Sequence, residues 1–109
     1  MISESYKNKI KESIKTKFSE MGVDEDTINE LVDVSIESLE TELQAIEQIL
    51  DSGNIDELGF HTHTIKGVLL NVGLNDDAEN FKEIKHLIGE KSEDEIKEIT
   101  KERISIFKG

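Results

Sequence analysis

The sequence predicts an all-α fold, an antiparallel up-down four-helix bundle with an additional N-terminal helix. Three observations predict it. The 109 residues contain no proline, and their polar part is dominated by Glu and Lys, both good helix formers. Apolar residues, mainly Ile and Leu, recur at helical spacing along the whole chain. Glycines fall where each apolar run stops, and the connections between runs are short, which favours antiparallel neighbours. A chain of this length forms one domain with one core, spanning residues 1–109.

Each element follows from its own stripe and stop signal. Tyr6, Ile10, Ile14, Phe18 and Met21 give an N-terminal helix over about 3–21, closed by Gly22. Asp26 or Thr27 opens the second helix, with Glu30 placed for a capping box. Its stripe is long, from Ile28, Leu31, Val32, Ile36 and Leu39 to Leu43, Ile46 and Leu50, and Gly53 ends it. Asn54, with Glu57 three residues on, caps a third helix that runs to Val72 and stops at Gly73. A fourth helix runs from about Asn75 to Gly89, carrying Ala78, Phe81, Ile84 and Ile88. Ser92 and Glu95 form the clearest capping box, ahead of a fifth helix that buries Ile96, Ile99, Ile106 and Phe107.

Composition excludes several functions. Thirteen Lys and Arg stand against 25 Asp and Glu, a formal charge of −12. Nucleic acid and anionic membranes need clustered positive charge and are excluded as main partners. The acidity reads first as solubility. With no cysteine there is no disulfide, thiolate metal site or cysteine nucleophile. No apolar run has the length of a signal peptide or a membrane span, so a soluble, cytoplasmic protein is expected.

The third helix carries the chemical signal. Leu58, Thr62, Ile65, Leu69 and Val72 fall on one side, which must face the core. His63 points about 160° away from the centre of that side, where packing has no use for it. Lys66, Gly67 and Leu70 follow on the same outward stripe, and Gly59 and Phe60 precede it. Two glycines flanking His63 at four residues each cost about 1 kcal/mol apiece relative to alanine. In return they are expected to let a partner approach the imidazole closely. Phe60 and Leu70 add apolar surface beside it, a pattern that suggests docking. Imidazole can be neutral and nucleophilic near neutral pH, and it can attack phosphorus to form a labile phosphoramidate. Lys66 is a flexible point charge one turn away that can follow phosphoryl oxygens.

His63-Thr-Ile-Lys66-Gly67, followed by Val-Leu-Leu-Asn-Val-Gly73-Leu74, resembles the signature of the histidine-containing phosphotransfer (HPt) domain family. The similarity covers about residues 26–107. The resemblance implies that His63 is phosphorylated, that Lys66 helps hold the phosphoryl group and that Gly67 clears room for a partner. Gly59, Phe60, Leu70 and Asn71 are expected to be the accompanying partner-binding residues. The implied partners are the receiver domain of a response regulator and a histidine kinase. Mg²⁺ is expected on the receiver, with no cofactor or metal of this chain's own. The chain would be a phosphocarrier in a two-component phosphorelay rather than an enzyme, and a monomer. Asp77 departs from the family pattern, which often has leucine four residues after the second glycine. Because the apolar stripe restarts at Ala78, a local change of register is expected there.

Other readings of the residues are weaker. No phosphate-binding glycine loop or nucleotide domain is present, so a self-sufficient kinase is excluded. His61 lies about 200° round the helix from His63, which makes it a hydrogen-bonded boundary residue rather than a second ligand on one face. Glu83 and His86 have half the spacing of a di-iron bundle site, but the other half is missing. Two alternatives to phosphotransfer are a bundle that docks a receiver or kinase without being phosphorylated, and a self-associating structural bundle.

Overall fold

The protein's structure, a computed structural model, describes residues 1–108, with Ser52 described in its backbone alone. Helices make up most of it, and no β-strand occurs among the described residues. Among the described residues six α-helical segments follow one another: α1 (Glu4–Ser19), α2 (Glu25–Ser52), α3 (Leu58–Asn71), α4 (Asn75–Glu79), α5 (Ile84–Leu87) and α6 (Glu93–Ile104). Short 3₁₀ turns precede α3 (Ile55–Glu57) and follow α6 (Ser105–Lys108). At 1.5 Å per residue α2 is about 42 Å long. It therefore runs nearly the full length of a molecule measuring 47 × 22 × 20 Å. It packs against α1 and α3; α3 in turn packs on α4 and α5, and α5 on α6.

The helix ends are mostly set by local chemistry. Ser3 caps α1 by accepting from the Tyr6 amide at 3.1 Å. The cap of α2 is Asp24, not Asp26 or Thr27, and it accepts from the Thr27 amide at 2.8 Å. Hydrogen bonds from Thr27 hold the Asp24 carboxyl below the usual carboxylate range. Asn54 accepts from the Asp56 amide at 3.0 Å and so starts the 3₁₀ turn, not a capping box with Glu57. Ser92 does cap α6, its hydroxyl accepting from the Glu95 amide at 3.2 Å, but it donates to the Glu95 carboxylate at 3.0 Å instead of leaving that carboxylate to its own amide as a capping box would. Gly22, Gly73 and Gly89 all adopt positive φ, at 78°, 89° and 94°. At Gly22 and Gly73 that left-handed backbone ends the helical run, whereas α5 has already ended at Ile88, whose backbone is extended.

The expected fourth helix is broken in two. Asn and Asp occupy positions 75, 76, 77 and 80, and their short polar side chains compete with the helical backbone. Between α4 and α5 the chain turns tightly, with Phe81 and Lys82 bonding back three residues rather than four. The break still leaves Ala78, Phe81 and Ile84 buried. Phe81 stacks on Phe107, with ring centroids 5.7 Å apart. Two smaller differences concern the stripes. Met21 is exposed, because α1 has already ended at Ser19. On α6 the phase buries Ile96, Thr100 and Ile104, leaving Ile99 half-buried.

The additional helix α1 ties into the end of α3 and into α4. Ser13 donates to the Val72 carbonyl at 2.6 Å, and Lys17 donates to the Asn71 carbonyl at 2.9 Å. Both carbonyls would otherwise be orphans at a helix C-terminus. Tyr6 donates its hydroxyl to Asp77 at 2.7 Å, and Lys9 pairs with the same carboxylate oxygen at 2.8 Å. Asp77, the odd residue of the sequence pattern, thus has partners in α1. Burial pushes the Tyr6 hydroxyl well above its ordinary value, and the bond to Asp77 and its negative charge push the same way. No helix among the described residues is long and apolar enough to cross a membrane.

Candidate functional site

The inward face of α3 is fully packed: Leu58, Thr62, Ile65 and Leu69 are each 0% exposed. Thr62 stays in the core by donating its hydroxyl to the Leu58 carbonyl at 2.8 Å, so no buried polar atom is orphaned there. His63, on the other side, is exposed.

Opposite His63 stand the turn after α4 and the short α5. Together they form a shallow cleft of about 210 Å³, lined by His63, Lys66, Phe81, Lys82, Lys85 and His86. Phe81 is almost wholly buried and forms part of the wall; the other five side chains are basic. Lys82 has a distant carboxylate neighbour, Glu79 at 3.9 Å. Lys66 and Lys85 have none within 4 Å among the described residues. In a chain of charge −12, this is a local concentration of positive charge around an exposed nucleophile. Anions are the ligands such a cleft favours.

The model of the Hpt domain family matches residues 30–104, more than two-thirds of the chain. The chain belongs to the Hpt domain family. No curated protein and no solved structure gives a significant match. Hpt domains are phosphocarriers of two-component phosphorelays rather than catalysts, and they interact with receiver domains and kinases. Helix α1 and the first turns of α2 lie outside the matched residues.

Within this Hpt domain the residues singled out by sequence divide into two groups. Around His63, Gly67 has open space where a Cβ would stand, so nothing of the chain itself crowds that approach. Phe60 is 70% exposed and Leu70 40%, an unusual amount of apolar surface on either side of the imidazole. Asn71 is also exposed, but it borders a separate groove between α1, α2 and α3.

Gly59 does not belong to this open surface. It is buried, and a Cβ there would stand 3.3 Å from Lys85 Cγ and 3.6 Å from Ile88 Cδ1. Its lack of a side chain leaves room for the α5 region to lie close against α3. His61 turns away from the cleft and hydrogen-bonds Glu42 of α2 through Nδ1.

Lys82, Lys85 and His86 are the cleft residues that sequence reasoning did not connect with His63. Their spacing of three and four does place them on one side of a helical segment. What the sequence lacks is the fold-back that sets that side against α3. Glu83 and His86 do not belong to any group of three or more metal-ligating side chains among the described residues.

Proposed function

We propose that His63 is the phosphorylated residue of this Hpt domain and that it exchanges its phosphoryl group with aspartates of receiver domains, in response regulators or hybrid kinases. The observation that carries this reading is an exposed imidazole in a cleft whose other charged groups are all basic, beside an open glycine. In the forward step an imidazole nitrogen attacks phosphorus. The P–O bond to the receiver aspartate breaks, its carboxylate leaves, and the ring gives up its N–H proton to solvent. The reverse step returns the phosphoryl group to a receiver carboxylate. Lys66 offsets charge on the phosphoryl oxygens, and Gly67 lets the receiver backbone come close. Phe60 and Leu70 supply apolar contact. Mg²⁺ comes with the receiver and stabilises the transferring group there.

The test is incubation with labelled phosphorylated receivers and Mg²⁺. Label should reach this chain, be labile in acid and stable in alkali, and vanish in His63→Gln while receiver binding persists. Label that survives His63→Gln would move the chemistry to another residue. Binding without any label on the native chain would support a docking module instead.

A further inference from the structure

Gly59 and Lys85 come from different elements and meet across the α3–α5 contact. The aliphatic stem of Lys85 lies over Gly59, since a methyl group on that glycine would sit 3.3 Å from Lys85 Cγ and 3.7 Å from its Cβ. Contacts of 3.3 Å are tighter than a Cβ normally tolerates, so any side chain at 59 must displace the stem. Gly59 stands one turn before His63, and the same Lys85 side chain lines the cleft at His63. Lysine commonly lays its methylenes on a neighbouring surface while its ammonium stays in water. A glycine below the stem fixes where that ammonium can reach.

We infer that Lys85 is a retention residue for the phosphoryl group on His63, and that Gly59 is the positioning residue that seats it. This deepens the phosphotransfer reading and rests on it. Phosphohistidine is lost to water when the P–N bond breaks, the phosphoryl group passing to a water oxygen and the ring leaving with a proton. A fixed positive charge beside the group disfavours arrival of that proton and balances the phosphoryl charge. Lys85 has no carboxylate within 4 Å among the described residues to quench it. Lys82, by contrast, has Glu79 nearby. Lys85 therefore lengthens the life of the phosphorylated state, a role separable from the access that Gly67 gives a partner.

The full chain can be phosphorylated with phosphoramidate, without any partner. The P–N bond of the reagent breaks as His63 bonds phosphorus, and ammonium leaves carrying the ring proton. The quantity measured is the lifetime of label on the His63 peptide at neutral pH. Lys85→Ala should shorten it about two- to fivefold, the range of a solvent-exposed ion pair, and Lys85→Arg should restore it. Gly59→Ala should shorten it by a smaller factor in the native background and have no effect in the Lys85→Ala background. A native lifetime in Lys85→Ala would overturn the inference. So would a Gly59→Ala effect that persists in full without Lys85, because the glycine would then act by another route. Lys85 is exposed, so its variants carry the test even if Gly59→Ala lowers stability. Absence of label from native His63 would overturn the phosphotransfer reading itself, and this inference with it.

Discussion

Two concave regions of this molecule differ in size and in charge, and the smaller one is where the chemistry points. Between α1 and α2 lies a groove of about 780 Å³, lined by Glu4, Asp33, Glu37, Glu40 and Glu47 among others. Lys7, the only basic side chain in its lining among the described residues, is already shared between Glu4 at 3.7 Å and Glu40 at 3.8 Å. The cleft at His63 has about a quarter of that volume, with three lysines, two histidines and no carboxylate in its lining. Volume would select the first; the requirements of a phosphoryl group select the second. A phosphocarrier does not have to enclose a small molecule, because its cargo is one small anion delivered by another protein. Local positive charge and an unobstructed approach serve it better than an enclosed pocket. The acidic groove repels the same cargo.

The largest expected effect tests the approach to the cleft. Gly67→Gln places a long side chain where a Cβ now meets nothing. Transfer from a phosphorylated receiver should fall at least about tenfold, equivalent to about 1.4 kcal/mol in the barrier. Thermal stability should be equal or higher, since a non-glycine residue favours the helix by up to about 1 kcal/mol. Initial transfer rates and melting curves on the same sample give both signs. A normal rate would show that this side of α3 is not the contact surface.

A smaller loss should follow from Lys66→Ala, which leaves access open but removes a cation from the cleft. Transfer or retention should drop about two- to fivefold, as for a solvent-exposed ion pair, with little change in melting. If Lys66→Ala and Glu37→Gln changed the rate equally, the contrast between cleft and groove would have no functional meaning.

The contrast was only half legible in the sequence. The helical phase alone separates His63 from Ile65, Leu69 and Val72, and in the structure His63 is exposed while the other three are buried. Gly22 and Gly73 mark real stops, because a positive φ is a backbone property that glycine permits at its own position, while α5 stops ahead of Gly89 at extended Ile88. The other wall of the cleft was not legible. Lys82, Lys85 and His86 become neighbours of His63 only through the packing of α5 on α3, and no periodicity within either segment encodes that packing. Gly59 misled for the same reason. Its phase puts it near His63, but whether it meets solvent or Lys85 depends on an element about 25 residues further along. Asp77 was visible as an anomaly, and its partners Tyr6 and Lys9 lie some 70 residues earlier.

Tyr6 and Asp77 connect the two regions, since α1 forms one side of the acidic groove and α4 leads into the cleft wall. Tyr6→Phe removes a hydrogen bond to a carboxylate and should cost about 1.5–3 kcal/mol of stability. The pH dependence has a definite sign. The folded-state hydroxyl titrates above its unfolded value, so its contribution is complete below about pH 10 and is lost as pH rises further. Denaturant melts between pH 7 and 11 should show the native advantage over Tyr6→Phe shrinking only at the alkaline end. An advantage that stayed constant up to pH 11 would show that the Tyr6 hydroxyl does not carry it. Label lifetime on His63 in Tyr6→Phe would show, in addition, whether loosening α1 from α4 reaches the cleft.

The smallest expected effect is at the groove itself, and it is the sharpest test of the comparison. Glu37→Gln combined with Glu40→Gln removes two negative charges from the α2 surface while keeping side-chain shape. If the groove has no part in phosphotransfer, these charges act on a receiver only through the long-range field of the chain. At an ionic strength of 0.1 M that field is screened over about 10 Å. Transfer at this salt should then stay within about twofold of the native rate, a change of at most about 0.4 kcal/mol. At 0.01 M the screening length grows to about 30 Å, and any difference from the native chain should become larger there. A change confined to low salt has the signature of long-range steering. A change that persists undiminished at 0.5 M would mean direct contact, and the groove would then belong to the docking surface despite its charge.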